Sequence, residues 1–201
     1  MYKYLILVGL FLGIFQIGFT QEGILEESKK AQEELNQAYL EEETTVLTAE
    51  DFEDFQGLEF FELTEEYIVE AEFIRTPEEK PFEMPTTTER TPEYVKYAEL
   101  HFVLAGDSLQ LNVYQETSFK EDPKLKNYLF LPFTDPTNGK ETYGGGRYLD
   151  LKIPDTKQVI IDFNKAYNPY CAYNPKYSCP IPPIENDLPI PIKAGVKKFK
   201  L

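Results

Sequence analysis

The stretch Ala98-Glu-Leu-His-Phe-Val-Leu-Ala105-Gly-Asp-Ser-Leu109-Gln-Leu-Asn-Val113 decides the fold. Ala98, Leu100, Phe102 and Leu104 fall on one face of an extended chain. Ala105–Ser108 turns it, and Leu109, Leu111 and Val113 return along the same face. A period of two on both sides of a short turn specifies a hairpin with one buried face. Upstream, Tyr67, Val69, Ala71 and Phe73 alternate with Ile68, Glu70, Glu72 and Ile74. Downstream, Leu129 to Phe133 is continuously apolar, the pattern of a central strand buried on both sides. After the turn Asp135-Pro-Thr-Asn-Gly139 come Leu149, Leu151 and Ile153, then Val159 to Phe163. About six strands with short connections predict a mainly β domain, an antiparallel meander curling into a barrel or half-barrel.

Helical periodicity precedes the strands. Between Ile24 and Glu43, Ala31, Leu35, Ala38 and Tyr39 form a narrow apolar stripe. Thr48 is placed to cap a second, short helix that Gly57 would stop, with Asp51 at its third position and Phe52 and Phe55 docking it. Residues 1–20 read as a signal peptide: Lys3, an apolar run from Leu5 to Phe15, and Gly18-Phe19-Thr20 before the cleavage point. The expected organisation is therefore a signal peptide (1–20), an N-terminal helical segment (21–47) and a single β-rich domain (48–201). The chain is expected to be exported, periplasmic or secreted, with no stable membrane span once the signal is cleaved.

With 35 acidic and 20 basic residues the net charge is −15, and cleavage after residue 20 would remove Lys3 and no acid. Nucleic acid and anionic membranes both require basic surface to displace counterions, so neither is an expected partner. The aromatic residues are 15 Phe and 14 Tyr without Trp, which suits strand faces. Seven prolines between Pro169 and Pro191 forbid regular ladders and predict an extended strap across the sheet.

Several segments carry a specific pattern: Pro81-Phe-Glu-Met-Pro-Thr-Thr-Thr88, Gly139-Lys-Glu-Thr-Tyr-Gly-Gly-Gly-Arg-Tyr-Leu-Asp-Leu151, Asp162-Phe-Asn-Lys-Ala-Tyr-Asn-Pro-Tyr-Cys171 and Cys179-Pro-Ile-Pro-Pro-Ile-Glu-Asn186. With the ending Ala194-Gly195 they resemble the family designated domain of unknown function 1684, over roughly residues 45 to 199. Val196 departs from the glutamate expected after Ala-Gly. The resemblance implies one domain and a shared site without naming its chemistry.

The leading candidate site is the Gly-rich turn. Lys140, Tyr143, Gly144, Gly145, Gly146 and Arg147, facing Asn164, Tyr167 and Asn168, can present backbone N–H groups and cations to a small polar or anionic ligand. The competing reading is a glycine bulge with Arg147 paired to an acid. On the binding reading, Arg147→Ala abolishes binding and leaves the melting temperature nearly unchanged; on the competing one, stability falls sharply. The tyrosines and asparagines of the tail also suit a sugar or peptide.

Cys171 and Cys179 are expected to form a disulfide, closing a loop at about 2.5 kcal/mol on the chain-entropy model. His101 is the single histidine, so neither a metal site nor a histidine-based nucleophile is expected. No cofactor is expected. A carboxylate-based hydrolase acting on a glycan or ester would need two of Glu141, Asp150 and Asp162 at a working separation. A third possibility is a protein-interaction module using the N-terminal helix. The preferred reading is a non-enzymatic binding or scaffold module.

Overall fold

The hairpin turns on two residues. In a computed structural model that describes residues 17–199, with side chains from Gly23 onward, Ala105 and Gly106 both take positive φ (54° and 88°) between paired Leu104 and Asp107. Two positive φ angles give the turn a twist matching that of the flanking strands. The expected signal segment, but for its last residues, lies outside this description.

The strands are β1 (Ile68–Arg75), β2 (Phe82–Glu83), β3 (Glu93–Leu104), β4 (Asp107–Glu116), β5 (Tyr128–Phe133), β6 (Arg147–Lys152) and β7 (Gln158–Asp162). They pair antiparallel in the order β6-β5-β4-β3-β1-β7, with short β2 also on β3. The fold is mainly β, an antiparallel half-barrel. The meander runs from β1 to β6, but β7 leaves it and pairs with β1 instead of β6. The sheet thus closes at β7–β1 and stays open along a seam between β6 and β7. Inside, Leu100, Leu111, Val113, Leu129, Leu131, Phe133 and Ile161 are fully enclosed in one core.

The N-terminal helix α1 (Ile17–Leu40) lies along the seam, where Ile24, Ala31 and Leu35 share a groove with Leu149, Leu151 and Ile160. Alongside this apolar stripe runs a polar one at i, i+4 and i+8. Ser28 donates to Asp162 Oδ2 at 2.6 Å, Gln32 donates to Asn164 O at 2.8 Å, and Asn36 Oδ1 accepts from Leu58 N at 2.7 Å. The apolar stripe, whose pattern suits packing on a sheet or on a partner, lies against the sheet of this chain. Helix α2 (Ala49–Glu53) is capped by Thr48, whose Oγ1 accepts from Asp51 N at 3.1 Å. It stops before Gly57; that glycine, at φ 130°, abuts Asn36 instead.

Two devices tie the C-terminal segment to the sheet. Pro132 cuts short the pairing of β5 with β4 because it has no N–H to give, and only Tyr114 and Phe130 pair across that junction. Buried Asn186 fills the gap: its Nδ2 donates to Asn112 O and Pro132 O at 2.8 and 2.6 Å, and its Oδ1 accepts from Asn112 N at 2.8 Å. Arg147 is the second device. Its side chain is completely buried and donates to Asp135 Oδ2 at 2.9 Å, Ile192 O at 2.8 Å and Ala194 O. Asp135 Oδ1 accepts from Thr137 N at 2.9 Å and Ile192 N at 3.1 Å. Burial lowers the guanidinium pKa, and Asp135 works against that shift.

Removing the guanidinium strands a buried carboxylate, which costs about 3–5 kcal/mol. Arg147→Ala is therefore expected to lower the urea midpoint sharply, and adding Asp135→Asn should recover part of the loss. Ala105→Asn, which tolerates positive φ better, should raise stability by about 0.5–1 kcal/mol in the same assay.

Candidate functional site

The Gly144–Arg147 turn does not form a ligand cradle. Arg147 points into the core, and its charge is answered by Asp135. Of the competing reading, the pairing of Arg147 with an acid is seen, while the glycines lie in a turn ahead of β6 and not in a strand bulge; the expected stability of Arg147→Ala is corrected accordingly. Gly146 is required by space: at φ 89° a Cβ there would lie 2.6 Å from Phe133 O and 2.8 Å from Pro182 Cγ. Gly144 and Gly145 are exposed beside it. Tyr143 turns to Cys171, with its hydroxyl 3.8 Å from Sγ.

Asn164 and Asn168 are likewise structural. Asn164 is buried, its amide donating to Thr64 O at 2.9 Å and Asp162 Oδ1 at 3.0 Å. Asn168 donates to Tyr173 Oη at 3.2 Å and Lys197 O at 3.0 Å. Lys140 lies apart, in a cavity of about 520 Å³ with Lys193, Lys197 and Lys198.

The three candidate acids have separate settings. Glu141 is exposed and pairs with Lys193 at 3.1 Å. Asp162 is 6% exposed and fully engaged: Ser28 and Lys165 reach Oδ2, while Asn164 N and Nδ2 reach Oδ1. It shares the seam groove with Asp150, but a carboxylate enclosed by donors is poorly placed to move a proton. Asp150 is the exception, because it is exposed and flanked by hydroxyls.

Around Asp150 the outer face of the sheet carries an aromatic cluster separate from the barrel core: Tyr94, Tyr114, Phe130 and Tyr148, with Tyr128 and Tyr167 at its margin. Alternation explains the division on β5 and β6. Leu129, Leu131, Leu149 and Leu151 face in, so Tyr128, Phe130, Tyr148 and Asp150 face out. On β3 a bulge between Lys96 and Ala98 switches the faces, and so sends Tyr94 outward although it shares parity with inward Ala98 and Leu100. The rings run edge to face or tilted: Tyr94 to Phe130 at 5.9 Å, Phe130 to Tyr148 at 4.7 Å, Tyr148 to Tyr167 at 5.9 Å.

This face borders a cleft of about 460 Å³. The strap forms the opposite wall through Pro169, Tyr170, Cys179 and Pro180, and the Tyr148 hydroxyl donates to Pro180 O. Arg90 and Phe119 also line it. Within it, Tyr128 Oη and Tyr167 Oη both donate to Asp150 Oδ1, at 2.7 and 2.6 Å. Burial, reinforced by Asp150, raises both phenol pKa values, so the hydroxyls remain donors. Neither bond uses Oδ2. The arrangement offers ring faces for stacking and a carboxylate held in one orientation.

Of the sequence-derived candidates, Asp150, Tyr167 and Cys179 belong to this cleft, with Tyr170 of the tail. Tyr94, Tyr128, Phe130 and Tyr148 were missed. The high tyrosine content was a signal, but their meeting depends on strand register and the bulge.

A solution NMR structure of an uncharacterized protein from Haloarcula marismortui is similar, at 30% identity and a TM-score of 0.70, covering 90% of this chain and 97% of that one. No curated protein matches. The model of the family described as "Protein of unknown function (DUF1684)" matches residues 53–197, a span holding all seven strands, the buried Arg147–Asp135 pair and most of the aromatic cleft, and the chain belongs to that family.

Proposed function

We propose that this domain is a non-enzymatic binding module whose aromatic cleft holds a small cyclic polyol, such as a monosaccharide. The observation that carries this reading is Asp150, fixed by Tyr128 and Tyr167 through one oxygen at the margin of the tyrosine and phenylalanine wall. Sugar rings offer an apolar face to aromatic side chains and hydroxyl donors to a carboxylate, so both halves of the cleft find a counterpart. An anionic ligand does not suit it, because the fixed group is itself an acid. Catalysis by paired carboxylates is disfavoured, since Asp162 is enclosed by donors.

A second reading keeps an anionic ligand and moves it to the cavity that contains Lys140. Lys140, Lys193, Lys197 and Lys198 meet there with Glu59 and Glu141, a local excess of cations on a chain of net charge −15.

Saturation-transfer NMR with a panel of monosaccharides should show contact from ring C–H protons. Asp150→Asn should weaken binding about tenfold or more, the effect of losing a charged acceptor at about 1.5–3 kcal/mol. Equal binding by Asp150→Asn, or no binding by the wild type, would remove the cleft reading. For the lysine cavity, inorganic phosphate should shift the backbone amides of residues 193–198, and Lys197→Gln with Lys198→Gln should abolish those shifts.

A further inference from the structure

The seam groove beneath α1 is held open by the bonds that seat the helix. Ser28 and Gln32 fasten α1 to Asp162 and Asn164, so its principal packing partner is the 3-10 turn Phe163–Lys165 that follows β7. On the opposite bank, Tyr148 and Tyr167 exchange two backbone hydrogen bonds, and among the described residues no strand continues that pairing along β6. Between the banks lies a cavity of about 440 Å³, walled mainly by Ile24, Ala31, Leu35, Leu149, Leu151 and Ile160. Ile24, Ala31 and Leu35 stay only half-buried although they face the sheet, and Ile160 is 42% exposed. The helix cannot slide in to cover this aliphatic surface without losing the bonds of its polar stripe.

The groove is continuous with the aromatic cleft, since Leu35, Asp150 and Tyr167 line both. From Leu35 back to Ile24 the helix runs about 16 Å, at about 1.5 Å per residue. Near that far end Lys165 meets Glu27 at 3.9 Å, a charged boundary to the apolar stretch.

We propose that cleft and groove are the two halves of one site for an amphiphilic glycoside. The sugar lies on the aromatic wall with its hydroxyls toward Asp150, and an alkyl chain on its anomeric carbon lies beneath α1. This rests on the cleft reading above and adds the aglycone. The chemistry of the groove selects a hydrocarbon chain over a second sugar or a peptide. Its polar side chains beyond Asp150 and Tyr167 already answer one another: Asp162 is bonded to Ser28 and Asn164, and Lys165 pairs with Asp162 and Glu27. A sugar or peptide would bring hydroxyls or amides to walls that leave them unpaired. A hydrocarbon chain asks for no hydrogen bonds and gains by leaving water.

The test is titration of the full chain with methyl and n-octyl β-glucosides, and with the matching galactosides, below the micelle concentration. In at least one series the octyl glycoside should bind about tenfold or more tightly than the methyl one, since each fully buried CH₂ is worth about fourfold. Filtered NOE spectra should place octyl protons against the methyl groups of Ile24 and Ile160. Ile160→Glu, at an exposed position, and Ala31→Phe, which fills the groove, should each reduce octyl binding to the methyl level while methyl binding stays unchanged. Asp150→Asn should weaken both, and urea midpoints verify that each variant folds. Equal binding of methyl and octyl glycosides by the wild type overturns this inference and leaves the cleft reading standing. Octyl binding that Ile160→Glu removes but Asp150→Asn spares overturns the cleft reading, and the joined site with it. A wild-type dimer that Ile160→Glu dissociates overturns the inference in favour of a second copy of the chain on the seam.

Discussion

A fully buried guanidinium is tolerated only where its charge is answered, and for Arg147 that demand is met through Nη1 and Nη2, while its buried Nε–H has no hydrogen-bond partner. The answer comes from two distant places: Asp135 in the turn after β5, and the carbonyls of Ile192 and Ala194 near the end of the described chain. The pair therefore fixes the start of β6 against both its neighbouring turn and the C-terminal segment. Strand alternation does the rest. With Arg147 and Leu149 held inward, Tyr148 and Asp150 must face the aromatic cleft. An interaction inside the barrel thus sets the orientation of the carboxylate outside it.

The parts of the fold legible in the sequence were those governed by neighbours along the chain. The β3–β4 hairpin, the inward leucines of β5 and β6, and the Thr48 cap all follow from local spacing. Pairing between remote segments was not legible in the same way. Nothing in the period of Val159 to Phe163 distinguishes a partner in β6 from one in β1. Pro132 looked like an ordinary member of an apolar run, and the buried amide that completes its strand lies 54 positions away. The same limit applied to the site. The Gly-rich turn stood out by composition, yet Gly146 answers a steric requirement and Arg147 a core one. Tyr94, Tyr128, Phe130 and Tyr148 each read as a strand residue, and become a wall only when four strands take their register.

The seam shows how polar groups substitute for a missing ladder. The edges of β6 and β7 do not pair with each other, and α1 covers the space between them. Its apolar stripe supplies area, while Ser28, Gln32 and Asn36 supply direction through bonds to Asp162, Asn164 and Leu58. A helix held by area alone could slide by a turn at modest cost. One that must satisfy three hydrogen bonds spaced four residues apart has a single seating.

The bulge at Lys96 and Ala98 acts as a phase shifter between two otherwise separate surfaces. Residues on the hairpin side of it keep time with the barrel core, and those on the other side keep time with the cleft. Each surface can therefore accept substitutions in its own set of positions without disturbing the other's. An insertion or deletion of one residue there would preserve the interior lattice of leucines and valines while rotating Tyr94 out of the wall. Within β3, the barrel and the recognition face are in this sense independently heritable.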